Sequence, residues 1–408
     1  MVGTQRRSGA TGRRKRRGAR RLALAVVVVV LLGVAVLAGG GWYFADQIRA
    51  GALAVEPPDG GAEYDIPVLA VDDHSITLAT GQDTPAELLG AGRWGLEWPD
   101  GDGQVDAVTA TPDGQVVRQF RLLRGRPLRP GDRVRLDVHG FPDDPLRAFG
   151  IPFWTVSYRS PLGEFPAWFV PGRSRTWAIM VHGRGAPRSE ALRMLPALFE
   201  AGLPALVISY RNDPGTPADP SGYYRFGQTE WRDLDGAVRY ALDHGANDVV
   251  LAGFSMGGGI AAAFMERSPL AGHVRGAILD SPALDLDAMV DHGAAARRIP
   301  GLGLPIPGVL TWAAKRIAGV RFGIDWDQVD HLGPADRLAA PILLFQGTAD
   351  DKVPVATSDA LAQRRADLVV TYERVDGAGH VRAWNLMPER YERDVREFLA
   401  GLPAGAAP

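Results

Sequence analysis

Cysteine is absent from the 408-residue chain, which excludes disulfides, thiol nucleophiles and cysteine-based metal sites. Acidic residues are absent from residues 1–21, although this segment carries nine Arg or Lys residues. The histidines outside the motifs discussed below are scattered without the spacing of metal ligands. Apolar residues make up 46% and charged residues 23% of the chain, which is the balance of an ordinary globular protein. The sequence therefore implies no metal and no organic cofactor.

One apolar run stands next to the basic tail. Leu22–Phe44 contains 23 residues without a charge, and a helix of that length spans a hydrocarbon core of about 30 Å. Trp42 and Tyr43 lie at its far end, where amphipathic rings favour the interface. Because basic flanks stay in the cytoplasm, the run predicts a single-pass plasma-membrane anchor with a cytoplasmic tail, residues 1–21, and the remaining chain outside the cytoplasm.

Two other interpretations of the N-terminus are open. A cleaved signal peptide could end near "VLA" at 36–38, with Arg20 and Arg21 as a weak twin-arginine signal. The apolar run is longer than the usual core of a signal peptide, about 7–15 residues, which favours an uncleaved anchor. A basic tail can also bind nucleic acid, but the adjoining apolar run favours the membrane, and no nucleic-acid partner is expected.

The pattern beyond the anchor changes twice. Residues 45–62 are rich in Gly, Pro and Ala and predict a linker. Residues 63–148 contain short alternating segments such as "IPVLAV" and "DRVRLDV", which predict a small β domain of unassigned function. Residues 149–402 alternate apolar strands with helical stretches, which predicts a doubly wound, mostly parallel α/β sheet.

The stretch "LAGFSMGGGI" carries the strongest chemical signal. Residues 253–257 fit the pattern G-x-S-x-G, follow a predicted strand and open a predicted helix. Glycines at such a turn let backbones approach closely, so that Ser255 can occupy a strained conformation with its hydroxyl exposed. The motif therefore predicts Ser255 as a catalytic nucleophile.

A serine nucleophile needs a base, and the base needs a carboxylate that orients it. Asp350 follows a predicted strand in "FQGTADDKVP", and His380 lies in the Gly-rich loop "VDGAGHVRAW". Both loops follow the carboxyl ends of strands, where such sites assemble. We expect Asp350 and His380 to complete a triad, with Asp351 as a surface charge and Asp280 as a hydrogen-bond partner of a lid.

An oxyanion hole needs backbone N–H groups beside the nucleophile. One donor is expected from Met256, directly after Ser255. The other is expected from Arg184 in the loop "HGRG", where His182 shapes the turn.

These segments together resemble the α/β-hydrolase superfamily over about residues 150–400. "VHGRG", "GFSMGG", "GTADDKVP" and "GAGH" carry the resemblance. "SYRNDPG", "TEWRDLDGAVRYAL" and "AILDSP" resemble the branch of prolyl-oligopeptidase-like and depalmitoylase-like serine hydrolases. That resemblance implies Ser255 as nucleophile, Asp350 as the residue that orients His380, and an oxyanion donor after the His-Gly pair. Many relatives have His where this chain has Gln346, a position that we expect to be structural.

Residues 283–335 are too long for an ordinary connection between two core strands. Their middle, "RIPGLGLPIPGVLTWAAKRIAGVRF", is apolar, and its polar flanks favour a lid over a re-entrant membrane segment.

The sequence thus predicts a membrane-anchored serine hydrolase that cleaves a small-molecule or lipid-like acyl ester. A serine peptidase and an inactive hydrolase-like binding module of the cell envelope are the alternatives. The sequence does not define the acyl and leaving groups.

Overall fold

The structure is a computed structural model that describes residues 9–55, 63–141 and 143–403. Its strands are β1 Ile66–Val71, β2 Ser75–Ala79, β3 Trp94–Trp98, β4 Gly101–Ala110, β5 Gln115–Gly125, β6 Arg133–Asp137, β7 Trp154–Ser160, β8 Gly163–Val170, β9 Thr176–Val181, β10 Ala205–Ile208, β11 Asp248–Phe254, β12 Val274–Asp280, β13 Ile342–Gly347 and β14 Val369–Val375. Its α-helices are α1 Gly9–Ile48, α2 Ala86–Leu89, α3 Pro145–Phe149, α4 Leu195–Glu200, α5 Trp231–Asp243, α6 Met256–Arg267, α7 Leu286–Ala295, α8 Gly308–Phe322, α9 Val355–Arg364, α10 Ala383–Leu386 and α11 Pro388–Gly401.

The chain divides into two compact units. The first combines residues 1–52 with 294–324, and the second contains the remaining residues. In the first unit α1 packs against α8. Among the described residues, Leu22–Leu53 is the one helical stretch that is long and apolar enough to cross a bilayer, a property that signal sequences share. The first eight residues of the predicted tail and residues 56–62 of the predicted linker lie outside the described residues.

The predicted β domain is a closed six-stranded barrel in the order β1-β2-β5-β4-β3-β6. Neighbouring strands are antiparallel, and β1 closes the barrel by pairing Ile66 with Val134 of β6. Alternate side chains fill the interior, as the period of two requires, and Trp94, Leu96 and Trp98 of β3 are among them. Strand β4 was not predicted, because its sequence "GDGQVDAVTA" is poor in the usual strand-forming residues.

The larger domain contains an eight-stranded sheet in the order β14-β13-β12-β11-β9-β10-β8-β7. Strands β9 to β14 are parallel to their neighbours within that group, whereas β7 and β8 form an antiparallel hairpin at one edge. Adjacent residues such as Ile179 and Met180 are both fully buried, so both faces of the sheet are covered. Helices α5 and α6 pack together, as do α4 and α11. The predicted doubly wound α/β sheet is confirmed.

The insertion at 283–335 leaves and re-enters the larger domain at one place. Asp285 and Asp330 form an isolated antiparallel bridge, and the N–H of His331 donates to the carbonyl of Leu284 at 2.8 Å. Between these ends, residues 294–324 belong to the first unit, with α1. The role of the insertion as a lid stays a prediction.

Candidate active site

Ser255 sits on the turn between β11 and α6. Its backbone has φ 51° and ψ −117°, which a residue with a side chain rarely adopts, and its N–H donates to the Asp280 carbonyl at 2.9 Å. Gly257 is required at this turn, because a Cβ there would overlap the Val181 carbonyl oxygen of the neighbouring strand. The strand–turn–helix context predicted for the serine motif is therefore present.

His380 links Ser255 to Asp350. The His380 Nε2 lies 2.8 Å from the Ser255 Oγ, and the His380 Nδ1 lies 2.8 Å from the Asp350 Oδ2. The three side chains come from three separate loops at the carboxyl ends of β11, β13 and β14. The structure thus brings together all three residues predicted as a triad, in one hydrogen-bonded chain.

Asp350 is held as a carboxylate by donors on both oxygens. The N–H groups of Lys352 and Val353 donate to its Oδ1 at 2.9 and 2.8 Å, and the Gln346 Nε2 donates to its Oδ2 at 3.0 Å. Burial would raise the pKa of Asp350, but the hydrogen bonds from His380 and from the two N–H groups outweigh it and lower the pKa below its ordinary value. Asp350 is therefore charged at neutral pH.

Gln346 was expected to be structural, and its side chain bridges Asp350 and Ser358. It is fully buried, donates to Asp350 and accepts from the Ser358 Oγ at 2.8 Å through its own Oε1. This arrangement fixes the orientation of the amide, because its oxygen faces the hydroxyl and its nitrogen faces the carboxylate. The departure from the usual His at this position is the only sequence signal that singled out Gln346.

The loop that carries His380 is held through both backbone polar groups of the next residue, Val381. Val381 has φ 52°, its N–H donates to the Ser281 Oγ at 3.1 Å, and its carbonyl accepts from the Arg193 Nη1 at 2.8 Å. Sequence reasoning missed both residues that hold this loop. Arg193 lies in no recognisable motif, and Ser281 lies in "AILDSP", where no role was expected for it.

The predicted oxyanion loop follows β9 and runs beside Ser255. A Cβ at Gly183 would lie 3.2 Å from the Ser255 Cβ, so the loop passes directly next to the serine. The Gly183 N–H donates to the Glu190 Oε2 at 2.7 Å. Arg184 as an oxyanion donor stays a prediction. Met256 is the first residue of α6, and the first helical N–H groups have no intrahelical acceptor.

His182 is buried in a polar environment that shapes this loop. Its Nε2 lies 2.8 Å from the Asp213 Oδ2 and its Nδ1 lies 2.9 Å from the Gly183 carbonyl, while its ring stacks on Tyr210. Burial alone would lower the pKa of the imidazole, but Asp213 outweighs burial and raises the pKa. A protonated ring satisfies both acceptors at once, which agrees with the expected role of His182 in the turn.

The competing carboxylates lie elsewhere. Asp351 is exposed, as expected. Asp280 is fully buried and accepts from the Tyr391 hydroxyl at 3.2 Å, so the expectation that it would bind a lid was wrong. Burial raises the pKa of Asp280 to about 6. Asp233, in the first turn of α5, is fully buried and bound to Arg211.

The β barrel contacts the segment that follows His380. The Asn385 Nδ2 donates to the backbone carbonyls of Arg93 and Val138 at 2.8 and 3.2 Å. The backbone carbonyl of Asn385 accepts from the Arg93 N–H at 2.8 Å. The neighbouring Trp384 is fully buried, with its ring 5.2 Å from that of Phe141. Helix α10 is therefore held from the barrel side.

The sheet order and the strand–turn–helix at Ser255 define an α/β-hydrolase fold. A model of the alpha/beta hydrolase family matches residues 178–394, which is more than half of the chain. The chain therefore belongs to the alpha/beta hydrolase family, and it is a hydrolase. The branch predicted from the sequence stays a prediction. A second model, for a domain of unknown function, matches residues 67–137, which form most of the barrel.

Solved structures that are similar to this chain include two esterases. The chain is similar to the esterase Pf2001 of Pyrococcus furiosus, with a TM-score of 0.50 and 20% identity, over 64% of this chain and 96% of that one. It is also similar to the esterase RhEst1 of Rhodococcus sp. ECU1013, with a TM-score of 0.41 and 17% identity, over 61% of this chain and 99% of that one. A comparison with curated protein sequences found no match.

Among the described residues, no group of three or more metal-ligating side chains could hold a metal ion. The site contains the hydrogen-bonded chain from Asp350 through His380 to Ser255. It can move a proton from a hydroxyl to an imidazole and stabilise the resulting positive charge.

Proposed function

We propose that this chain is a membrane-anchored serine hydrolase that cleaves acyl esters through an acyl-enzyme. Ser255 is the nucleophile, His380 is the general base and then the general acid, and Asp350 orients the imidazole. The observation that carries the proposal is the pair of 2.8 Å contacts that join Ser255 to His380 and His380 to Asp350. A nucleophile and base within hydrogen-bond reach, with the base held by a third group, is the arrangement that this chemistry needs.

The proposed reaction uses these three residues in turn. The Ser255 Oγ attacks the acyl carbon while its proton moves to the His380 Nε2, and the carbonyl oxygen becomes an oxyanion that accepts from the N–H groups of Met256 and Arg184. Collapse of this intermediate breaks the bond from the acyl carbon to the leaving oxygen, which takes the proton from His380. Water then attacks the acyl-enzyme by the same route, releases the carboxylic acid and restores Ser255.

The preference for esters is argued from the insertion. Residues 299–314 contain no charged side chain, so this part of the insertion offers no charge to hold a peptide terminus. A serine peptidase is the second candidate on the same catalytic residues. A comparison of matched substrates separates the two.

The chain is expected to hydrolyse p-nitrophenyl esters with a kcat/KM that rises from acetyl to medium-chain acyl groups. Each buried methylene contributes roughly 0.8 kcal/mol, or about fourfold in binding. The measurement compares this ester series with a series of aminoacyl and prolyl amides at one pH and one detergent concentration. A flat chain-length profile together with efficient amide cleavage would instead identify a peptidase.

The anchor is proposed to be α1, with residues 1–21 in the cytoplasm and the hydrolase domain outside it. The nine basic residues that precede the apolar run support this orientation. Protease added to intact spheroplasts is expected to digest residues 45–408. Protection of this region until lysis would reverse the orientation, and release of a soluble form trimmed near Ala38 would show a cleaved signal peptide.

A further inference from the structure

The segment 294–324 differs in charge from the domain into which it is inserted. It contains five basic residues and no acidic residue. With residues 1–52 it forms one compact unit, but nine of that unit's basic residues lie in the predicted cytoplasmic tail, so residues 45–52 and 294–324 together carry six basic residues and one acidic residue. The chain outside this unit has thirty basic and forty-six acidic residues. Positive charge is concentrated in the unit that contains the apolar helix.

Helix α8 packs closely on the end of the apolar run of α1. A Cβ on Gly40 would lie 2.6 Å from the Leu310 side chain, and one on Gly41 would lie 2.9 Å from Ile317 and 3.0 Å from Ala313. The two glycines therefore let the helices approach each other where larger residues would separate them, as in packed membrane helices.

A charged and aromatic cluster lies one to two turns further along both helices. The Arg321 guanidinium lies 3.7 Å from the centroid of the Trp42 ring, and its Nη2 donates to the Asp46 Oδ1 at 3.1 Å. Because Leu310 contacts Gly40 and Arg321 contacts Asp46, α8 runs parallel to α1. The N-terminal end of α8 thus lies on the apolar side, and its C-terminal end lies on the charged side.

This arrangement sets the level of α8 relative to a bilayer. The uncharged run Leu22–Phe44 is about 34 Å long at 1.5 Å per residue, slightly longer than a hydrocarbon core of about 30 Å. The outer edge of that core therefore falls near Gly41. Trp42, Asp46 and Arg321 then lie at the headgroups, where amphipathic rings and charges are favoured, and the N-terminal end of α8 lies at the edge of the hydrocarbon.

In the loop before α8, several backbone polar groups are paired within the loop, and three residues have no N–H. Arg298 and Pro305 form an isolated antiparallel bridge, and the carbonyl of Ile299 accepts from the N–H groups of Leu302 and Gly303 at the tip. Residues 300, 305 and 307 are prolines, which have no N–H to satisfy. The large apolar side chains of this region are nevertheless exposed: Leu302 by 67%, Leu304 by 57%, Val309 by 53% and Trp312 by 57%.

We propose that the loop 299–309 and the exposed face of α8 insert into the headgroup region of the outer leaflet, beside α1, and that the exposed Arg297, Arg298 and Arg316 face anionic lipid headgroups. The inference rests on the proposed anchoring by α1. We assign the bilayer as the partner of this surface because its exposed apolar side chains lie at the level of Gly40. There they adjoin the exposed apolar surface of α1. Such an element binds the membrane interface through burial of its apolar side chains and through attraction of its basic residues to anionic lipids. It also holds the chain where lipid-like acyl esters are concentrated.

Because the chain has no cysteine, single-cysteine variants can report the environment of each site. Leu304→Cys tests the loop, and Val30→Cys tests the anchor. Val370→Cys, on β14, is the matched control, because Val370 is an apolar residue of the hydrolase domain that is 65% exposed. Each full-length variant is labelled with an NBD fluorophore. It is then reconstituted in vesicles of phosphatidylcholine and phosphatidylglycerol that carry a nitroxide either near the headgroup or deep in the acyl chain.

The Leu304→Cys probe is expected to shift to the blue and to be quenched several-fold more by the shallow nitroxide than the Val370→Cys probe. If the Val30→Cys probe is quenched by the deep nitroxide while the Leu304→Cys probe behaves like the control, the anchor is right and the inference is wrong. A blue shift at Leu304→Cys without quenching would mean burial against protein and would also overturn it. Absence of quenching at Val30→Cys would overturn the proposed anchor, and the inference with it.

Discussion

Replacement of Ser255 by alanine is expected to lower kcat for ester hydrolysis by about 10⁴–10⁶-fold. The alanine has no hydroxyl to form the acyl-enzyme, and the remaining residues of the hydrogen-bonded chain have no nucleophile to activate. His380→Ala should cause a loss of similar size, and the double variant should add little, because residues that act as a unit are not additive. The measurement is kcat on a p-nitrophenyl ester, with Ser157→Ala, an exposed serine on β7, as the control.

A fluorophosphonate probe gives an independent reading of the same prediction. The wild-type chain should be labelled at Ser255, and Ser255→Ala should not be labelled at all. A Ser255→Ala variant that keeps more than a few per cent of the activity would mean that the nucleophile lies elsewhere. A wild-type chain that fails to react with the probe would support the inactive binding module.

Replacement of Asp350 by asparagine is expected to lower kcat by about 10⁴-fold with little change in fold. The N–H groups of Lys352 and Val353 hold an oxygen at the Oδ1 position, so the new NH₂ group must face the Gln346 Nε2 and the His380 Nδ1. A donor there forces the Nδ1 of the imidazole to act as an acceptor and puts the proton on Nε2. His380 can then no longer accept the proton of Ser255.

The control for this variant is Asp351→Asn, which changes the adjacent exposed carboxylate and should retain wild-type turnover. Both variants are compared by kcat and by thermal unfolding, which separates a lost proton acceptor from a lost fold. Asp280→Asn completes the set, since Asp280 also follows a strand. If Asp280→Asn abolished turnover and Asp350→Asn did not, Asp280 would be the residue that orients His380.

Local sequence pattern was sufficient for much of the fold. Strands β9 to β13 were predicted because each is a short apolar run bounded by turn residues, and their burial on both faces removes any polar alternation. The position of Ser255 was predicted because the glycines and the strand–turn–helix context occur within ten residues. Asp350 and His380 followed from the rule that loops at the carboxyl ends of parallel strands converge.

The partners of these residues could not be predicted, because they depend on contacts between distant parts of the chain. Arg193 reaches Val381 across 188 residues, and Ser281 reaches it across 100. Neither has a spacing that a sequence pattern could record. Strand β4 was missed because Gly101 and Gly103 weaken its strand signal, although a Cβ at either would collide with neighbouring backbone or aromatic atoms.

The contact between the barrel and α10 links catalysis to a domain that need not touch the substrate. Asn385 takes its acceptors from Arg93 and Val138, and Trp384 is covered by Phe141, five residues or fewer after His380. A chain shortened to begin at residue 149 would leave the Asn385 amide without these acceptors and Trp384 open to water. The barrel thus supplies part of the packing behind the loop that carries His380.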